Sequence, residues 1–240
     1  MPGRERPTTV AWLDASPVEY RLERRGDAAV VMFHGGQMRA GLALGEAVFS
    51  EAGCTVLVPS RPGYGLTPLS TGTSVSGFAD VTCALCEHVG VTRVAAVVGT
   101  SAGGRTAVTM AARHPDLVDR LILQRAVGWL PWPDRRTRLA AHAAFAPGTE
   151  QATWAACRTL LRIAPHIGLR LQLSHLSTLP ARQAMASLRA EDRARLVALL
   201  SLMRSGHGFI NDLRPTPDVT ADVSQPTLVI GPAAAPSPCD

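Results

Sequence analysis

A serine between two glycines is the residue of this sequence with the clearest capacity for covalent chemistry. Ser101 lies in residues Gly99–Gly103, GTSAG, which match the pattern G-x-S-x-G. The apolar run Val94–Val98 precedes them, and the alanine-rich segment Ala102–Arg113 follows with helical spacing. A sharp turn from a buried strand into a helix can hold a serine in a strained conformation with its Oγ exposed. The pattern predicts that Ser101 is a nucleophile for acyl transfer; the competing interpretation is that it only caps the helix.

A second string, His34–Gln37 (HGGQ), directly follows the apolar run Ala28–Phe33. Acyl transfer needs two N–H donors directed at the oxyanion of the tetrahedral intermediate. The residue after the nucleophile, Ala102, can offer one. The loop after Ala28–Phe33 can offer the other, with the Gly36 N–H as the first choice and that of Gln37 as the alternative. We expect His34 to brace this loop rather than to act as a general base.

The segments around these strings alternate between short β-branched runs and longer helical ones. This alternation predicts an α/β fold, with a mostly parallel sheet and helices on both of its faces. Residues 129–215 show only helical spacing, which predicts an all-helical insertion that covers the site. The predicted strands are Thr8–Leu13, Val18–Glu23, Ala28–Phe33, Thr55–Val58, Val94–Val98, Leu121–Leu123 and Thr227–Ile230, and the predicted core helices are Gly41–Ala52, Ser74–Val89 and Ala102–Arg113.

The order of these strings resembles the α/β-hydrolase superfamily, of the AB hydrolase-1 type with a serine nucleophile. SRPGYGLTP (60–68) and HPDLVDRLIL (114–123) contribute to the resemblance, which covers residues 8–128 well. It implies three parts: a first core part at 1–128, a helical cap at 129–215, and a core continuation at 216–240. In the resembling families that hydrolyse haloalkanes or epoxides, aspartate is the nucleophile. Serine at this position therefore leaves esterases, lipases, thioesterases, peptidases and C–C hydrolases.

The resemblance also implies a catalytic acid soon after the strand at 227–230 and a histidine after a final strand. Asp240 is the only acidic residue after Ile230, and no histidine follows His207. His207, with Asp212 nearby, is the best substitute for the histidine, although a role in a cap loop is the simpler interpretation. The Ala/Pro-rich end, GPAAAPSPCD, leads to the hypothesis that the chain is truncated or frameshifted there and lacks the final strand and helix.

These observations favour a hydrolase whose Ser101 is acylated by a small or medium ester, thioester or amide, with no cofactor. The insertion carries 12 arginines and five acidic residues between 130 and 214, which would suit an anionic substrate. The alternative is a catalytically impaired remnant or a binding scaffold of the same ancestry, because a serine without a base is a poor nucleophile at neutral pH. Nucleotide binding is disfavoured, because the glycine spacings of phosphate-binding loops do not occur.

The composition of the chain indicates which broad class of protein it belongs to. The 240 residues are 46% hydrophobic and 18% charged, which suits a globular core. The sequence has neither an apolar run of ~18 residues nor an N-terminal secretory pattern, so we expect a cytoplasmic protein without a membrane partner. The five cysteines predict free thiols, and Cys83 and Cys86 lack the further ligands of a metal site.

The distribution of charge and the edges of the predicted sheet indicate which partners the protein has. The net charge of +5 is spread along helical patterns rather than gathered on one face, which disfavours nucleic acid. A sheet without its final strand would expose an edge and an apolar face, so self-association through that edge is expected.

Overall fold

Parallel strands, and the helices that connect them, form the centre of the molecule. The computed structural model describes residues 5–14, 16–72, 74–129, 135–176 and 180–231. The strands in these ranges are β1 (Thr9–Leu13), β2 (Ser16–Glu23), β3 (Ala29–Phe33), β4 (Thr55–Pro59), β5 (Val94–Thr100), β6 (Leu121–Gln124) and β7 (Thr227–Ile230). They form one seven-stranded sheet in the order β1-β2-β4-β3-β5-β6-β7. β1 and β2 pair antiparallel with their neighbours, and β3 to β7 run parallel, so the predicted fold class is confirmed.

The helices divide into those of the core and those between β6 and β7. The core helices are α1 (Ala47–Glu51), α2 (Val75–His88) and α3 (Gly104–Arg113). The second group is α4 (Arg135–Phe145), α5 (Glu150–Ile163), α6 (Pro165–Leu176), α7 (Ala181–Ser187), α8 (Ala190–Leu202) and α9 (Gly208–Asp212). We call this second group the cap. None of the helices in the described ranges has the length and hydropathy needed to cross a membrane.

The middle of the sheet is buried on both faces, as expected for parallel strands between helices. All five residues of β3 are buried. Val31 and Phe33 join a cluster with Phe78 of α2 on one face. Met32 lies in a second cluster with Phe49 on the other face. The continuous apolar run at the end of β3 therefore places the residues that follow it, His34–Gln37, at the carboxyl edge of the sheet.

The cap has a small apolar core of its own. Leu161 of α5, Leu169 of α6 and Leu200 of α8 are buried against one another. Leu196 and Val197, from the apolar stripe seen in the sequence, pack against this cluster. The cap helices are therefore held together by their own side chains, while the three-part division at 128 and 215 stays a prediction.

One predicted helix is much shorter in the structure. Residues 41–52 were expected to be helical, but only Ala47–Glu51 is. Gly45 takes a φ of +88°, which a right-handed helix does not allow. The carbonyl of Ala40 accepts instead from Arg21 Nε, and that of Gly41 accepts from the Arg6 N–H at 2.8 Å. In a helix these two carbonyls would accept from N–H groups four residues later, so long-range hydrogen bonds replace local ones.

The free edge of β7 carries a testable consequence. Leu228, Val229 and Ile230 are 54%, 68% and 45% exposed, and no described strand pairs with the outer side of β7. Because an unpaired apolar edge can pair with another chain, we expect the protein to self-associate as its concentration rises. Val229→Lys should shift it toward the monomer in light scattering coupled to size-exclusion chromatography.

The matched control for this experiment is Val48→Lys. Val48 is 61% exposed on α1, so the substitution adds the same charge at similar exposure but away from any sheet edge. Self-association that Val48→Lys reduces as much as Val229→Lys would reflect net charge and not the edge of β7. A wild-type protein that stays monomeric at every concentration would contradict the prediction.

Candidate active site

Ser101 lies at the turn that joins β5 to α3. Its φ is +50°, although it is not a glycine. It is the first residue of a short 3-10 helix, Ser101–Gly103, which leads into α3 at Gly104. A non-glycine residue in this conformation costs on the order of 1–3 kcal/mol and persists only where the surroundings impose it. Ser101 is half-buried, and its carbonyl accepts a hydrogen bond of 2.9 Å from the Val127 N–H.

The glycines on either side of Ser101 are required by close backbone approaches. A β-carbon on Gly99 would lie 2.6 Å from Gly104 Cα and 2.7 Å from Ala107 Cβ. On Gly103 it would lie 2.6 Å from His34 O and closer still to Phe33 O. The two glycines of G-x-S-x-G therefore allow close packing of the turn. Gly103 allows it to approach the end of β3, and Gly99 allows it to approach the start of α3.

Residues His34–Gln37, which we call the HGGQ loop, contact Ser101 directly. A β-carbon on Gly35 would lie 3.0 Å from Ser101 Cβ and 3.5 Å from its Oγ. Gln37 has a φ of +67°, so the backbone turns sharply just after Gly36. The structure thus brings together the two strings that sequence analysis paired.

The N–H groups of Gly36 and Ala102 belong to the two segments that meet at Ser101. The hydrogen bonds found in the described ranges use neither the N–H of Gly36 nor that of Ala102. The Tyr64 hydroxyl packs against this loop at Gly36. Gly36 stays the first choice for the second donor, with Gln37 as the alternative.

His34 is directed into a buried charged network. It is 3% exposed, and its Nε2 lies 3.1 Å from Oε1 of Glu46, which also pairs with Arg21. Burial alone would raise the pKa of Glu46, but the hydrogen bond and charge interaction with His34, and the charge of Arg21, lower it to about 2. His34 Nδ1 has no hydrogen-bond partner among the described residues. The network ties the start of the HGGQ loop to β2 and α1.

The substitute dyad considered from the sequence does not form. His207 is exposed, and no hydrogen bond or ion pair in the described ranges joins it to Asp212 or to Ser101. Both carboxylate oxygens of Asp212 are bound by Arg61, and the Tyr64 hydroxyl donates to one of them at 2.6 Å. Ser101 Oγ has no hydrogen bond to any described residue, and a bond between a nucleophile and its base can form only when substrate binds. Residue 240, the remaining acid considered, lies outside the described residues.

The described residues contain no group of three or more histidine, cysteine or acidic side chains placed to hold a metal ion. Cys83 and Cys86 lie on α2, and Cys86 is fully buried in the core of the sheet's helical face. Burial, with smaller contributions from Cys83 and Glu87, raises the pKa of the Cys86 thiol to about 12. A thiol this hard to deprotonate packs as a small apolar group.

An apolar concavity of about 520 Å³ lies beside the Ser101 turn. Its walls include Gly104, Val127, Trp129 and Ile230, so it runs from the start of α3 to the end of β7. A second concavity, of about 640 Å³, lies at the opposite side between β2 and α1. Ser101 itself lines neither. The concavity of about 520 Å³ adjoins the Ser101 turn, because Val127 in its wall donates its N–H to the Ser101 carbonyl.

Sequence analysis missed the contacts between the cap and the core near Ser101. Arg61 and Tyr64 belong to the loop SRPGYGLTP, whose resemblance was noted, but their partner Asp212 lies on α9. A β-carbon on Gly36 would lie 3.2 Å from Phe209 Cδ2, also on α9. The close glycines of the loop, Gly63 and Gly65, were the available signal, since each takes a positive φ against a neighbouring segment.

Comparison with known proteins places these features in a family. The family model described as alpha/beta hydrolase fold matches residues 28–230. An uncharacterized hydrolase of Bacillus subtilis, YcgS, is 31% identical over 209 residues, which are 86% of this chain and 72% of that protein. A 2-hydroxy-6-oxononadienedioate/2-hydroxy-6-oxononatrienedioate hydrolase of a Pseudomonas species is 33% identical over 103 residues, which are 41% of this chain and 36% of that enzyme.

The solved structure of a known protein shows the same fold as this chain. An alpha/beta hydrolase fold protein from Nakamurella multipartita superposes with a TM-score of 0.76 at 22% identity, over 93% of this chain and 80% of that one. The strand order, the family match over residues 28–230 and this superposition lead to one conclusion: the chain belongs to the alpha/beta hydrolase fold family.

Proposed function

We propose that this protein is a serine hydrolase that acts on a small or medium ester, thioester or amide. Ser101 Oγ would attack the carbonyl carbon of the substrate, and the leaving group would depart as the acyl-enzyme forms. Water would then hydrolyse the ester to Ser101 and release the acid. The observation that carries the proposal is the φ of +50° at Ser101, at the junction of β5 and the following helix. Strain of this kind is kept where a fold presents a side chain for use.

The oxyanion of the tetrahedral intermediate would be bound by the N–H groups of Gly36 and Ala102. Both are free of other partners in the described residues, and the HGGQ loop packs within contact distance of Ser101. Two aligned donors in a site of low dielectric constant contribute several kcal/mol to transition-state binding, because removing one costs about 2.7–4 kcal/mol.

The mechanism also needs a base that accepts the hydroxyl proton of Ser101 as its Oγ attacks the substrate. No described residue is hydrogen-bonded to Ser101 Oγ, so the base that accepts this proton is not among its contacts in the free protein. With oxyanion donors and substrate binding alone, about 10³–10⁴-fold acceleration over water would remain. This observation favours one alternative function, a binding scaffold of the same fold. A cytoplasmic location, a small-molecule partner and the absence of nucleic-acid and membrane partners stay predictions.

Labelling with a fluorophosphonate tests whether Ser101 is activated. We expect one phosphonyl group to be attached to the wild-type protein at Ser101, because the probe reacts with serines that are activated and face oxyanion donors. Ser101→Ala should abolish the labelling, which intact-mass and peptide mass spectrometry would measure. Ser174→Ala is the matched control, since Ser174 is exposed on α6 and bonds only to its own helix.

The outcomes separate the two functions. Labelling that Ser174→Ala leaves unchanged and Ser101→Ala removes supports the hydrolase. A folded wild-type protein that takes up no probe contradicts it and favours the scaffold, and circular dichroism would establish that the protein is folded.

A further inference from the structure

A buried ion pair joins the cap to the core beside the candidate site. Arg61, in the loop after β4, binds both carboxylate oxygens of Asp212 at the end of α9, with Nη2 and Oδ2 2.8 Å apart. The side chains of Arg61 and Asp212 are only 6% and 14% exposed. Tyr64, which is 1% exposed, donates its hydroxyl proton to Oδ2 of the same carboxylate at 2.6 Å. We call Arg61, Tyr64 and Asp212 the clasp.

The two core members of the clasp also contact the HGGQ loop. Arg61 Nε donates to the carbonyl of His34 at 2.9 Å. The Tyr64 hydroxyl packs against Gly36, where a β-carbon would lie 3.7 Å from it. The backbone that carries the candidate oxyanion donor is therefore held by a hydrogen bond at His34 and packed against Tyr64 at Gly36, and both of these partners bind Asp212.

The charge of Asp212 raises the pKa of both partners. Burial alone would lower the pKa of Arg61, and the Asp212 carboxylate raises it above its usual value. Burial, followed by the charge of Asp212, raises the pKa of Tyr64, so Tyr64 stays a neutral hydroxyl that can donate to the carboxylate. Without the carboxylate, a buried guanidinium would lack its counter-charge and would be drawn toward water. Its bond to the His34 carbonyl would be lost with it.

The surrounding backbone confirms that α9 and the core loop are closely joined. The N–H groups of His207 and Gly208 both bond to the carbonyl of Gly63, at 3.2 and 3.1 Å. Within the cap, Glu150 accepts hydrogen bonds from the N–H groups of Ser205 and Gly206, at 2.8 and 3.2 Å. The segment before α9 is thus bound to the cap on one side and to the core on the other.

From these contacts we infer that Asp212 is a positioning residue of the cap, which acts through Arg61 and Tyr64 to hold the HGGQ loop with the Gly36 N–H toward Ser101. The oxyanion site is then complete only while α9 is docked on the core. A buried ion pair is weak evidence for stability, and we assign this one the role of selecting a single geometry. The inference rests on the proposed function for its catalytic consequence, and on the contacts alone for its structural one.

Asp212→Asn tests the catalytic consequence, because it keeps the shape of the side chain and removes its charge. The readout is fluorophosphonate labelling of Ser101, resolved into the maximal rate and the probe concentration at half of that rate. We expect the maximal rate to fall about 10- to 100-fold, since misplacement of a donor by about 1 Å costs up to that factor. The half-saturating concentration should change little, because probe binding does not depend on the oxyanion donor. Tyr64→Phe, which removes only the hydroxyl, should give a smaller fall.

Two control variants receive the same change from carboxylate to amide. Asp119→Asn breaks an Arg–Asp pair with Arg93 at the other end of β5, where Nε lies 2.9 Å from both oxygens, and should label at the wild-type rate. Glu150→Gln removes a charge within the cap, while its amide oxygen can still accept from the N–H groups of Ser205 and Gly206, so it should lower the maximal rate less than Asp212→Asn does. The inference would be overturned if Asp212→Asn were labelled at the wild-type rate. It would also be overturned if the substitution raised only the half-saturating probe concentration and left the maximal rate unchanged. An equal loss in Glu150→Gln would overturn it as well.

Hydrogen exchange measures the structural consequence without any labelling. Amides in a peptide spanning residues 34–38 should exchange faster in Asp212→Asn and in Tyr64→Phe than in the wild type, while Asp119→Asn leaves them unchanged. If the wild type is never labelled but this exchange pattern is observed, the proposed function fails and the positioning by Asp212 stands. Unchanged exchange in both clasp variants would overturn the positioning itself, whether or not Ser101 is labelled.

Discussion

Gly103→Ala is expected to destabilise the protein by about 3 kcal/mol and to reduce labelling of Ser101 by at least about 100-fold. The β-carbon of an alanine would lie 2.6 Å from the carbonyl oxygen of His34 and closer to that of Phe33. Both are backbone atoms at the end of a fully buried strand, so neither can rotate away. Relief must come from a shift of the turn that carries Ser101, which moves its Oγ away from the HGGQ loop.

Gly128→Ala is the matched control for this experiment. Gly128 lies in the segment after β6, has an ordinary φ, and a β-carbon there would meet nothing within 4 Å. We expect its urea unfolding curve and its labelling rate to match those of the wild type. Gly103→Ala with wild-type stability and labelling would contradict the close approach of the Ser101 turn to the end of β3.

The fold was predictable because local signals along the chain agree with one another. β3 and β5 are short apolar runs, and each is followed by glycines at the point where the chain must turn. Ser74 accepts a hydrogen bond from Gly77 N–H as the N-cap of α2, at the residue where that helix was predicted to begin. Patterns of this kind depend on neighbours in the sequence, so periodicity and capping residues suffice to find them.

Where prediction failed, the determining contacts are long-range. At the start of the segment before α1, the carbonyls of Ala40 and Gly41 accept hydrogen bonds from Arg21 and Arg6 in place of helical ones. The clasp joins Arg61 to a residue 151 positions later, and no local pattern reports such a pairing. In contrast, Ser101 and the HGGQ loop could be paired from sequence, because each follows a strand and parallel strands end at one edge of the sheet.

Glu46→Gln is expected to lower the free energy of unfolding by about 3 kcal/mol at neutral pH. Glu46 is 1% exposed and lies between Arg21 and His34, so the amide would leave a buried guanidinium without one of its counter-charges. The pKa of Glu46 is lowered from its usual 4.5 to about 2 in the folded protein. A shift of this size is worth on the order of 3 kcal/mol when the group is ionised in both states.

The sign of that shift sets the pH dependence. Because the folded-state pKa lies below the unfolded one, the stabilisation by Glu46 is fully present above about pH 4.5 and is lost as the pH falls toward about 2. Urea unfolding of wild type and Glu46→Gln at neutral and progressively acidic pH should therefore show a constant gap that narrows only below about pH 4.5. Glu51→Gln, exposed at the end of α1, serves as the control and should show no gap at any pH. A gap that persists undiminished well below pH 4.5 would mean that Glu46 contributes through its shape and not through its charge.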